Sequence, residues 1–173
     1  DIDEYNLFQI RKKEDINYYI KNKKIGILLT VENLSAIGTD ISKLDYLYEE
    51  GIRISSLTWE DTNLIASGNA SIKDFGISDF GRRVLNKMNN LGMILDVSHL
   101  SDNSFYDVMK FGYKKIIATH SCVRALCNTK RNLTDKQIKY IAKCGGLVGV
   151  CLYKDFIKTS KNKVTINDYI DHI

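Results

Sequence analysis

Three side chains able to share a divalent cation stand just past apolar runs: Glu32 after 25–31, His99 after 93–97 and His120 after 115–119. Imidazole nitrogen with carboxylate oxygen is a donor set suited to zinc or a similar metal. The chain has three histidines, and two of them occupy equivalent places after successive runs. That repetition weighs against the plain reading, in which each histidine only hydrogen-bonds a loop. Glu32 alone reads equally well as a helix-capping acid or an ion-pair partner. Trp59, Glu60 and Asp61 follow a further run, 52–58. Arg131 sits in a loop before a helix; its planar guanidinium suits a solvated, phosphate-like contact or a bidentate grip on a substrate carboxylate. Tyr153, past the run 146–152, reads as core, rim or pocket wall. Asp96 and His172 read as structural.

The apolar runs 25–31, 52–58, 93–97, 115–119 and 146–152 read as five strands. Helical signals separate them. Ser42-Lys43-Leu44-Asp45 resembles a capping box, with a stop at Gly51. Ser78 opens a helix with Phe80, Val84, Leu85, Met88 and Leu91 on one face, stopped at Gly92. Asp102 to Phe111 is a short helix, and Thr134-Asp135-Lys136-Gln137 is a second capping box. The tail from Thr165 and the first 22 residues also read as helical.

About five β–α units without a linker predict a single α/β domain over 1–173, with a parallel sheet covered by helices. An open doubly wound sheet and a (β/α) barrel both fit. In either, sites form at the C-terminal strand ends. Gly145-Gly146 precedes a strand instead of opening a helix, which disfavours a nucleotide-binding loop.

Composition narrows the function classes. The 173 residues carry net charge +4, with 44% hydrophobic and 27% charged residues, an ordinary globular balance. No apolar run approaches the ~20 residues of a membrane helix, so no membrane contact is expected in this chain. A small charge spread along the chain argues against nucleic acid as partner. The four cysteines form no C-x-x-C pair, so reduced thiols and a cytoplasmic setting are expected.

Several stretches together resemble the membrane (renal) dipeptidase family of zinc-dependent dipeptidases. They are residues 77–84 (ISDFGRRV), 88–101 (MNNLGMILDVSHLS), 118–121 (ATHS), 124–127 (RALC), 131–135 (RNLTD) and 145–150 (GGLVGV). Val31-Glu32-Asn33 resembles that family's Glu-Gly segment. The similarity runs in order from about residue 5 to the end.

The resemblance implies a (β/α)8 TIM-type barrel, of which this chain is the central portion. It implies two zinc ions in a binuclear site, bridged by the catalytic carboxylate of Glu32, with His99 and His120 as ligands to one ion. It further implies that Arg131 binds the C-terminal carboxylate of a small dipeptide substrate and that Tyr153 lines the same pocket. A hydroxide shared by the two metals would attack the peptide carbonyl. A homodimer is an expected partner.

The sequence departs from that family at three points. No His-x-Asp, the family's first metal-binding element, occurs in it. The aspartate that the family carries after its last strand is not reached before Ile173. Trp59 stands where mammalian members have a histidine that polarises the scissile carbonyl, which leaves Asp61 or Asn63 as candidates for that task. A complete barrel takes ~250 residues. The chain is therefore expected to be an internal part of an incomplete metallo-dependent hydrolase barrel, unstable or associated when isolated, and catalytically poor. Another barrel amidohydrolase and a non-catalytic relative are the competing expectations.

Overall fold

The computed structural model describes residues 7–159 and 163–173. The chain enters through β1 (Leu7–Gln9), α1 (Lys13–Lys21) and β2 (Ile25–Ile27), and β1 and β2 pair in parallel as a two-stranded sheet. A four-stranded parallel sheet follows: β3 (Leu29–Val31), β4 (Ile52–Ser56), β5 (Ile94–Asp96) and β6 (Ile116–Ile117), in that spatial order. A doubly wound sheet reverses its strand order at a switch point. The sequential order here has no reversal and matches a stretch of barrel wall.

Helices α2 (Lys43–Glu49), α3 (Asp79–Leu91), α4 (Asp102–Phe111) and α5 (Asp135–Lys143) carry the crossovers. Their ends are written in the sequence. The Ser78 hydroxyl accepts from the Gly81 amide, and Gly92 (φ +77°) stops α3 in the left-handed conformation. Ser101 and Gly112 do the same for α4, and Thr134 with Gln137 closes a full capping box on α5. Val84, Leu85 and Met88 of α3 pack with Phe105 and Val108 of α4 and Ile141 of α5 around Met93, Leu95 and Ile116 in one buried cluster. Burying each such side chain contributes roughly 1.5–3 kcal/mol. Two short helices, α6 (Lys154–Ile157) and α7 (Ile166–Ile170), follow.

The structure corrects the sequence reading at four places. The first 22 residues are not one helix: Leu7–Gln9 is a strand and α1 starts at Lys13, while residues 1–6 lie outside the described ones. The run 25–31 is two strands in two sheets, and Ile25, Leu28 and Leu29 are exposed, β2 and β3 each standing at an edge of its sheet among the described residues. Ser42 does not cap α2; its hydroxyl and amide both bond the Asp40 carboxylate. The run 146–152 contracts to a single parallel bridge, Ala118 with Val148. It still follows β6, since Ala118 donates to the Leu147 carbonyl and Gly149 to that of Ala118. A Cβ on Gly149 would sit 2.2 Å from the Thr119 carbonyl oxygen, so only glycine passes β6 this closely.

Candidate metal centre

Three strand exits converge. Glu32 is the first residue after β3, and Asn33 behind it adopts φ +71°. Asn33 is held there by its amide on the Ser56 hydroxyl (2.8 Å) and by its side-chain oxygen, which accepts from Ser35 and Asn63. His99 and His120 each follow their strand, β5 and β6, by three residues. Glu32 Oε1 lies 2.8 Å from His99 Nε2 and 3.4 Å from His120 Nε2, and the two nitrogens are 2.9 Å apart. All three donor atoms fall within 4.8 Å of one another.

Burial pushes the His99 pKa down to about 3, and the nearby Arg131 and His120 push in the same direction. Burial also lowers that of His120, with Arg131 again contributing. Both rings are therefore neutral at neutral pH, the form that ligates metal. A neutral imidazole nitrogen either donates or accepts. At His99 Nε2 the carboxylate calls for a proton, while the Arg131 Nη2 donor, 3.2 Å away, calls for a lone pair. These demands conflict as hydrogen bonds. Two nitrogen lone pairs and a carboxylate oxygen aimed at one point instead fit a divalent cation.

Arg131 lies under this cluster, almost completely buried. It donates to the Ser98 carbonyl and, at 3.0 Å, to the Ser121 hydroxyl, and its guanidinium covers the Phe156 ring at 5.3 Å. Desolvation lowers its pKa, and no carboxylate pairs with it among the described residues. A buried cation without an anion is costly.

The other candidates fall around this centre. Tyr153 immediately precedes α6 without a side-chain capping bond, 53% exposed, with its ring 4.8 Å from that of Phe156. It thus stands one ring further out than Arg131. Trp59 is 51% exposed, with its ring 6.2 Å from the His99 ring. Asn63 is occupied structurally: its amide donates to Asn33 and the Leu57 carbonyl and accepts from Ile65 and Ala66. Asp61 is exposed. His172 is structural as expected; Nδ1 accepts from the Val123 amide and Nε2 donates to the Ile157 carbonyl.

Four polar or aromatic neighbours escaped the sequence reading: Ser98, Thr119, Ser121 and Phe156. The first three sit beside the histidines in the motifs themselves, so adjacency was the available signal.

A family model described as membrane dipeptidase (peptidase family M19) matches residues 3–173. An uncharacterized dipeptidase of Schizosaccharomyces pombe is 35% identical over 157 residues, covering 88% of this chain and 38% of that protein. The crystal structure of an amidohydrolase from Pseudomonas aeruginosa superposes with a TM-score of 0.87 at 29% identity, over 96% of this chain and 51% of that one. A metallo peptidase from Rhodobacter sphaeroides, solved with a phosphinate mimic of the dipeptide L-Ala-D-Ala, gives a TM-score of 0.88 at 23% identity, over 97% and 50%; this second likeness speaks for the fold. The four-stranded sheet is thus part of a TIM-type barrel, and the chain spans about half the length, or less, of the relatives it matches.

Proposed function

This chain belongs to the membrane dipeptidase family, and from that premise we propose that the protein it forms part of is a metal-dependent dipeptidase cleaving the peptide bond of free dipeptides. The convergence of Glu32, His99 and His120 carries this reading. We further propose two zinc ions, with the Glu32 carboxylate shared between them. The second ion needs donors beyond these three, and no His-x-Asp lies within the 173 residues. Zinc held here would supply Lewis-acid polarisation of the peptide carbonyl and acidify water.

The residues of this chain have separable tasks. His99 and His120 present neutral nitrogens. Arg131, buried and lacking an anionic partner among the described residues, is suited to grip the substrate's C-terminal carboxylate in a two-pronged hydrogen bond. Phe156 backs that guanidinium, and Tyr153 extends the same aromatic wall towards solvent. Trp59 stands beside His99 without the acid–base capacity of a histidine, so polarising the peptide carbonyl would fall to zinc held by these residues. The four cysteines are free thiols, which supports the cytoplasmic setting we propose. A homodimer is proposed on family grounds, testable by the mass of the full-length protein in solution.

The test uses full-length protein purified without chelator. Elemental analysis should give about two zinc ions per chain, the occupancy that a two-metal site requires. Arg131→Met should raise KM for free dipeptides and leave C-terminally amidated ones as poor as before. A zinc content near zero would sink the metal reading. The amidohydrolase likeness favours a second reading, in which the carboxylate-free substrate is the better one. Faster turnover of blocked amides than of free dipeptides would select it.

A further inference from the structure

The two histidines are held by different means. The β5–β6 register sets Asp96 opposite Ile117, beside the turn that carries Thr119. One oxygen of Asp96 accepts from the Ser98 amide (3.0 Å), the Ser98 hydroxyl (2.6 Å) and the Thr119 amide (3.1 Å). The other accepts from the Thr119 hydroxyl at 2.5 Å. That hydroxyl has one proton, and Asp96 takes it. Yet the same oxygen stands 2.7 Å from His120 Nδ1. It acts there as acceptor, so Nδ1 carries the ring proton and Nε2 carries the lone pair. Nε2 is the atom that faces Glu32 Oε1 and His99 Nε2.

His99 has no such support. Its Nδ1 is buried without a hydrogen-bond partner among the described residues. Trp59 and Arg131 lie against its ring.

We propose that Asp96, acting through the Thr119 hydroxyl, is a positioning residue that fixes the tautomer and orientation of His120 as a metal ligand. The inference rests on the metal-site reading above. A ligating histidine is commonly locked by a hydrogen bond from its far nitrogen, and loss of that partner weakens metal binding. Here the partner is an alcohol, and the carboxylate behind it decides which way the alcohol's proton points. Only one of the two histidines is steered in this manner by the described residues.

The test compares Thr119→Val, Thr119→Ser and Asp96→Asn in the full-length protein. Zinc affinity is measured by chelator competition, the His120 tautomer by nitrogen NMR of the zinc-free form, and folding by circular dichroism. Thr119→Val should weaken zinc binding about 10–100-fold, while Thr119→Ser, which keeps the hydroxyl, should stay within about threefold of the parent. Asp96→Asn can turn an amide N–H onto the Thr119 oxygen. That frees the threonine proton for His120 Nδ1 and should move the ring proton to Nε2. Parental affinity in folded Thr119→Val, or a Thr119→Ser loss as large as that of valine, overturns the proposal. A parent protein that binds no zinc refutes the metal reading instead. Even then an Nδ1–H tautomer that switches in Asp96→Asn upholds the relay, and an unchanged tautomer defeats it.

Discussion

His99 leaves β5, inside the sheet, and His120 leaves β6, whose outer side is covered by the run 146–152 through the Ala118–Val148 bridge, whereas Glu32 leaves β3 at the opposite edge of the sheet among the described residues. Beneath the histidines Leu95, Ile116 and Phe105 are fully buried, and α3, α4 and α5 close over them. Beside Glu32, Leu29 is exposed and the glutamate itself is half-exposed. The neighbouring β1–α1–β2 segment goes further: α1 buries none of its residues. Two of the three candidate donors thus stand on a packed base and the third on a margin of the described residues. Close-packed interiors transmit and resist displacement, while poorly packed margins open locally at small cost.

The largest expected effect tests that contrast directly. Phe105→Ala removes a fully buried ring from the packed half and should cost about 3–5 kcal/mol in urea unfolding of the full-length protein. Ile20→Ala, at a side chain 73% exposed among the described residues on α1, should change stability by less than about 0.5 kcal/mol. Comparable losses from the two would erase the distinction.

Acid should act through the packed half as well. In unfolded chain His99 takes up its proton near 6.5, but in the folded zinc-free protein only near 3. Between those values the unfolded state binds the extra proton and is favoured. Stability should therefore fall as the pH drops below about 6.5, the range in which an unperturbed histidine titrates. His99→Gln should blunt that fall, and an identical pH profile in the variant would exclude His99 as its source.

The smallest effect separates two helix starts that look alike in sequence. Thr134→Ala, which breaks a formed capping box, should cost about 1 kcal/mol. Ser42→Ala, at a start whose hydroxyl bonds Asp40 instead, should cost only a few tenths of a kcal/mol, as surface changes usually do. Equal losses would mean that the Ser42 side chain supports its helix after all.

These residues also show where sequence reading succeeds. The caps at Ser78 and Thr134 and the stop at Gly92 are local chemistry, so they were legible. His99 and His120 were legible because each sits at a repeated place after an apolar run, and the two do meet, at 2.9 Å. Ser42 misled because Asp40, two residues back, competes for the same hydroxyl. The run 25–31 misled because apolar content does not reveal which sheet a strand joins. The task of Asp96 was hidden for a related reason. Its partner Thr119 is 23 residues away, and only the β5–β6 register brings the two together. Arg131 read as a loop residue, and its burial depends on the carbonyl and ring that the fold places around it.

Trp59 is the single tryptophan of this chain, and its ring lies 6.2 Å from that of His99. Indole emission responds to the charge and polarity of its immediate surroundings. Half in solvent and half against the ring of a proposed ligand, Trp59 is an optical reporter built into the rim of the candidate centre. In the full-length protein its emission, read as the difference from Trp59→Phe, should shift when the neighbouring imidazole gains a metal or loses it, giving a label-free readout of loading in real time.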